Sequence, residues 1–125
     1  MSKIIKLKTY TDDRGDLTVL DKIEELLPFK VRRVFYIYNV DDSQRGGHRH
    51  HKTIQAAICI KGSCSVSCND GKNKKTYLLN SPNICLLLET KDWHTMENFS
   101  KDAVLLVLAS EIFDKQDYIF GQYEN

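Results

Sequence analysis

Residues 45–62 read RGGHRHHKTIQAAICIKG and hold three of the chain's four histidines. The second half, from Ile54 on, is an apolar, β-like run that closes on Gly62 as a turn residue. In an extended segment side chains alternate between two faces. His48 and His50 therefore share one face, and Arg49 and His51 share the other. If the first face points into a barrel or sandwich, two imidazoles enter its interior side by side. Gln55 lies five residues beyond His50 and has the wrong parity for that face unless the chain bends around Lys52–Thr53.

Outward from this stretch the chain alternates between short strand-like runs and turn signals. Upstream, KIIKLKTY (3–10) alternates apolar and polar, DDRGD turns, and LTVL (17–20) follows. DKIEELLPF (21–29) suits a short helix ended by Pro28, and VRRVFYIYNV (31–40) is aromatic and β-branched, a strand composition. Downstream come SCSVSC, an NDGK turn, KTYLL, an NSPN turn, ICLLLE, WHTMENF and AVLLVLA. The tail EIFDKQDYIFGQYEN (111–125) reads as a short packing segment with aromatic anchors. Eight or nine strands at this spacing predict an all-β sandwich or barrel, and 125 residues predict one domain, 1–125.

Charge narrows the partners. Eighteen Lys and Arg nearly balance seventeen Asp and Glu, so nothing argues for nucleic acid or an anionic membrane surface. A small anionic ligand needs only a few local cations and stays open. The apolar runs are too short to cross a bilayer, and the first residues lack a signal-peptide pattern, so a cytoplasmic location is expected. Cys59, Cys64, Cys68 and Cys85 sit inside apolar runs and are expected as buried thiols, not as disulfides or a zinc site.

The histidine spacing resembles the cupin motifs. His48-x-His50, four residues, Gln55, six residues and Gly62 match the first motif, and His94, three residues and Asn98 match the end of the second. The resemblance implies a cupin-type jelly roll with its site in the mouth. Metal-binding cupins use three histidines and a glutamate. Here Gln55 stands in the glutamate position, and a neutral amide does not balance a divalent cation as a carboxylate does. No metal and no cofactor are therefore expected. The second motif's Pro-x-Gly is also replaced, by ETKDWH.

A closer resemblance covers nearly the whole chain. RRVFYIYNV, RGGHRHHKTIQAAICIKGSCSV, the Asp-Gly turn, WHTMENFS, AVLLVLAS and the late DYI are similar to the sugar-nucleotide 3,4-ketoisomerases. Arg49 and His51 depart from that family's usual residues, both on the face opposite His48 and His50. The resemblance implies metal-independent isomerisation of dTDP-4-keto-6-deoxy-glucose, feeding deoxyamino-sugar biosynthesis of the kind that supplies O-antigen or other surface polysaccharide. It also implies a homodimer that exchanges N-terminal strands. It puts Tyr36, Arg45, His48 and His50 at catalytic positions.

Moving a carbonyl from C4 to C3 requires a base for the acidified C3 proton, an enediol or enediolate, and a proton returned at C4. Histidine suits both proton steps because its ordinary pKa is near neutrality. His50 is the expected base. Tyr36 is placed to shuttle or orient a hydroxyl proton, and Arg45 to stabilise the enolate oxygen or grip a phosphate. Gln55, Arg33, Trp93 and His94 are the expected substrate-binding residues. Three competing readings remain at this level: a 3,5-epimerase-like cupin, a non-catalytic sugar-nucleotide-binding cupin, and a metal-dependent cupin oxygenase.

Overall fold

The computed structural model describes residues 1–125. The strands are β1 (Lys3–Lys6), β2 (Tyr10–Asp12), β3 (Gly15–Leu17), β4 (Arg33–Tyr38), β5 (Arg45–His50) and β6 (Gln55–Lys61). They continue as β7 (Cys64–Asn69), β8 (Lys74–Leu79), β9 (Ile84–Leu88), β10 (Trp93–Glu97), β11 (Val104–Ala109) and β12 (Tyr118–Ile119). Two five-stranded sheets, ordered β1-β9-β6-β11-β4 and β12-β5-β10-β7-β8, form a cupin-type jelly roll, with β2 and β3 as a separate hairpin.

The two sheets bury one core between their inner faces. Ala57, Cys59, Leu86, Leu88, Leu105 and Val107 from the first meet Cys64, Val66, Leu79 and Met96 from the second. A second cluster lies on the outer face of the first sheet. There Ala56, Ile58, Cys85, Leu87 and Leu108 are covered by Leu7, Ile23 and Leu27 from the N-terminal segment. Burial on both faces explains the unbroken apolar runs of β6, β9 and β11. β7 keeps water on its outer face and shows the alternation of a half-buried strand. All four cysteines are buried free thiols. Burial pushes Cys68 up to about 12 and Cys85 up to about 11, which keeps both protonated and inert.

The N-terminal third departs from the sequence expectation. KIIKLKTY does not run as one strand: after Lys6 the chain drops Leu7 into the outer cluster and resumes as β2. DKIEELLPF forms only a 3-10 turn, Ile23–Glu25. Ile23 and Leu27 both plug the outer cluster, and the Glu24 carboxylate accepts the Val31 amide at 2.6 Å, which folds the segment back. Twelve strands replace eight or nine, because the first run splits into β1 and β2, the histidine stretch is itself a strand and the tail contributes β12.

Candidate active site

The register explains how the histidines come together. β10 pairs with β5 so that His94 stands opposite His48, Thr95 opposite Gly46 and Met96 opposite Arg45. One step along β10 thus spans two along β5, a bulge at Gly46–Gly47. Both glycines have left-handed backbone, φ 84° and 82°. A Cβ on Gly46 would lie 2.8 Å from the His94 carbonyl oxygen, so only glycine fits this approach. The bulge has a second effect. It reverses the parity of β5, so Arg45, three residues before His48, is paired on the inward side with Met96 instead of facing away.

Three imidazoles meet on the inner face of the second sheet. Ring centroids are 4.9 Å apart for His48 and His50, 5.0 Å for His48 and His94, and 6.2 Å for His50 and His94. His50 and His94 are 3% and 1% exposed. Nδ1 of His94 lies 3.0 Å from the Asp92 carbonyl oxygen. A carbonyl only accepts, so Nδ1 carries the proton and Nε2 presents a lone pair. Nε2 of His94, Nε2 of His50, Oε1 of Gln55 and Nε of Arg33 are all buried without a partner. Folded proteins rarely leave such groups unsatisfied, and four of them on the facing inner sides of the two sheets mark a place where a polar ligand completes the bonding.

Gln55 reaches this face because the chain does bend. β5 ends at His50, residues 51–54 cross between the sheets, and β6 begins at Gln55 in the first sheet. Gln55 has the inward parity of Ala57 and Cys59. It pairs with Ala109, which pairs with Arg33, so Gln55 and Arg33 belong to one inward row facing the histidines. The Arg33 guanidinium lies over the Phe35 ring at 5.3 Å and the Phe113 ring at 5.8 Å.

Burial depresses both β5 histidines. His48 falls to about 4, through desolvation and then repulsion from His94. His50 falls to about 3, through desolvation and then the charges of His48, His94 and Arg33, against a partial offset from Asp117. Desolvation lowers His94 as well. All three rings are therefore neutral at pH 7.

Two expected residues lie elsewhere. Tyr36 projects from the outer face of edge strand β4, 61% exposed, and stacks on Tyr38 at 5.7 Å. Inward parity on β4 belongs to Arg33, Phe35 and Ile37, so within one chain Tyr36 does not meet the imidazoles. Trp93 has the parity opposite to His94, and its Nε1 donates to the Phe120 carbonyl oxygen at 3.0 Å on the outside of the second sheet. His51 is exposed, and the Arg49 guanidinium packs on the Tyr123 ring at 4.7 Å.

The tail supplies what the sequence reading missed. β12 pairs with β5, placing Tyr118 directly opposite His50. The Tyr118 ring lies 4.6 Å from His48 and 4.8 Å from His50. Asp117 anchors it. The Asp117 carboxylate accepts the Lys52 amide at 2.7 Å, the Thr53 amide at 3.2 Å and the Thr53 hydroxyl. Burial opposes this charge, but the bonds from Thr53 and Lys52 outweigh it and hold the carboxyl below its ordinary range. The late DYI was the only signal in the sequence.

The donor set does not suit a divalent metal: no cluster of three or more His, Cys, Asp or Glu side chains converges as ligands, and Gln55 supplies no charge. A cavity of about 570 Å³ is on the far side of the first sheet, lined by Thr9, Thr11, Asp16, Ile58 and Ser81. It lacks the convergent unpartnered groups that single out the imidazole cluster.

Known proteins resemble this chain over nearly its whole length. The family model FdtA: WxcM-like, C-terminal matches residues 1–125. A TDP-4-oxo-6-deoxy-alpha-D-glucose-3,4-oxoisomerase from Aneurinibacillus thermoaerophilus is 38% identical over 99% of this chain and 88% of its own length. The structure of a TDP-quinovose 3,4-ketoisomerase from Campylobacter jejuni is 41% identical, covers 96% of this chain and 92% of that one, and superposes with a TM-score of 0.89. A mutant 3,4-ketoisomerase from Thermoanaerobacterium thermosaccharolyticum, solved with TDP-4-keto-6-deoxyglucose, is 38% identical, covers 96% and 87%, and also gives 0.89.

Proposed function

The chain belongs to the FdtA, WxcM-like C-terminal family, and we propose that it is a sugar-nucleotide 3,4-ketoisomerase, moving the carbonyl of dTDP-4-keto-6-deoxy-D-glucose from C4 to C3. The observation that carries this reading is the buried, neutral His50, whose Nε2 has no partner inside the protein. A neutral imidazole in a water-poor site accepts a carbon-bound proton without first losing one of its own. His50 takes the C3 proton, made acidic by the neighbouring ketone, and returns a proton to C4 of the enediolate. His48 and His94 orient the sugar through their ring nitrogens. Arg33 supports the enediolate charge, Gln55 holds a sugar hydroxyl, and Arg45 on the same side beyond the bulge grips the diphosphate.

Carbon–proton transfer of this kind needs no Lewis acid, and Gln55 in place of a carboxylate supports a metal-free reaction. Activity should survive exhaustive chelation. Stoichiometric metal, with activity lost on its removal and regained on its return, would contradict this. The same reading holds residues 1–125 to be one catalytic domain acting in the cytoplasm; no helix is long and apolar enough to cross a membrane.

The enzyme is a homodimer on this reading. Hairpin β2–β3 stands outside both sheets with Tyr10 and Leu17 exposed, and edge strand β4 exposes Val34, Tyr36 and Tyr38 on its outer face. Such edges are usually covered. Within one chain β1 pairs with β9, so strand exchange would swap this pairing between copies. Sedimentation as a monomer at micromolar concentration would refute the dimer. Product NMR tests the activity itself: a ketone carbon at C3 is expected, and substrate recovered unchanged would overturn the assignment.

A further inference from the structure

We propose that Tyr118 is a catalytic residue, its phenol relaying the hydroxyl-side proton between O3 and O4 of the sugar while His50 serves the carbon side. This rests on the isomerase reading and deepens it. The reaction needs two proton movements, one between C3 and C4 and one between O3 and O4. Three neutral imidazoles on the inner face account for the first. Tyr36, the tyrosine that sequence alone puts forward for the second, points away from them.

Tyr118 is where such a group has to be. It stands opposite His50 in the β12–β5 register, on the same face, with its ring against both His48 and His50. It is half-buried. The hydroxyls of Tyr77 and Tyr123 are tied elsewhere, donating to the carbonyl oxygens of Ser2 at 3.0 Å and Lys91 at 2.9 Å. The strap is fixed on the side of the histidines: the His51 amide donates to the Asp117 carbonyl oxygen at 3.0 Å, beside the Asp117 carboxylate bonds to Lys52 and Thr53. A tyrosine held only for packing has no need of so firm a link to the residues following His50.

The step balances. The C3 proton passes to His50 as the C4 carbonyl π bond opens, leaving an enediolate whose O4 charge Arg33 supports; the phenol then gives its proton to O4. The phenolate then receives the O3 proton as the C3 carbonyl forms, and His50 delivers its proton to C4. No electron is gained or lost overall, and no co-reactant is required. A phenol can do this because one oxygen both donates and accepts.

Tyr118→Phe removes the oxygen and keeps the ring. Carbonyl migration should fall by about 10²-fold or more, the usual worth of a positioned acid–base group, with TDP affinity unchanged. Solvent deuterium should still enter C3 of the recovered substrate at close to the wild-type rate. Migration within about threefold of wild type overturns the proposal. So does an equal loss of migration and C3 exchange with TDP affinity intact, which would tie the phenol to the carbon side. Independently, a crystal structure of His50→Asn with the keto sugar bound should place Oη of Tyr118 about 2.6–3.2 Å from O3 or O4; an oxygen beyond reach of both refutes the relay. A wild-type enzyme that neither migrates nor exchanges fails the isomerase reading instead.

Discussion

The inner face of this sandwich has two ends built from the same strands. On β6 it runs from Gln55 to Ala57 and Cys59, on β10 from His94 to Met96, and on β4 from Arg33 to Phe35 and Ile37. At the apolar end every side chain is matched by another. At the polar end buried nitrogens and an amide oxygen remain unpaired, and burial holds the histidines neutral. The apolar end therefore stores stability, and the polar end holds the groups proposed for the chemistry. Within one strand, two residues separate the two uses.

Substitutions at the two ends should separate these properties. His50→Asn should lower kcat by about 10²–10⁴-fold, roughly 3–5.5 kcal/mol of barrier, while melting temperature and TDP affinity barely change. Turnover near wild type would remove His50 from the chemistry. Leu105→Ala, in the closed core, should do the reverse. Denaturant melts should show a loss of about 2–5 kcal/mol, with kcat preserved in the folded fraction. If both variants lose stability alike, the two ends are not distinct.

Gly46→Ala tests the hinge between them. The left-handed backbone and the close His94 carbonyl make the added methyl cost about 1–3 kcal/mol, and a shifted bulge should misplace Arg45 and His48 together. Both stability and kcat/KM should fall. A variant as stable and active as wild type would mean that the bulge does not set the site.

Acid should act on the polar end first. The folded-state values of His48 and His50 lie below the ordinary 6.5, so the unfolded chain binds more protons between about 3 and 6.5. Stability is fully present above pH 6.5 and declines as pH falls through that window. A His48→Gln, His50→Gln double variant should lose less stability than wild type between pH 6.5 and 5 in paired melts. An identical decline in both would place the acid sensitivity elsewhere. The smallest effect belongs to His51→Ala, exposed on the other face, which should stay within about 0.5 kcal/mol of wild type and keep its turnover. Equal damage from His51→Ala and His50→Asn would break the facing argument for β5.

Alternation alone made the pairing of His48 with His50 legible, and the apolar runs of β6, β9 and β11 announced the core. Three features were not legible, for distinct reasons. The parity of Arg45 depends on a bulge, and a double glycine does not state which residue loops out. Tyr36 shares a strand with the inward Arg33, but which set of an alternating strand faces inward is fixed by the partner β11, not by the strand itself. Tyr118 joins the histidines through a two-residue strand pairing across 68 positions of chain, a contact with no local periodicity. The N-terminal segment misled for a related reason: its apolar residues cover an outer face that only the finished sheet creates.

On the proposed mechanism His50 moves a proton at C3 so that the carbonyl migrates. The most direct measurement is proton NMR of dTDP-4-keto-6-deoxy-D-glucose with the enzyme in D₂O, run in parallel with His50→Asn. A C3 ketone, solvent deuterium at C3 of recovered substrate or C4 of product, and an untouched C5 proton are expected, with migration and exchange both lost in His50→Asn. Deuterium at C5 with the ketone still at C4, or migration undiminished in His50→Asn, would contradict it.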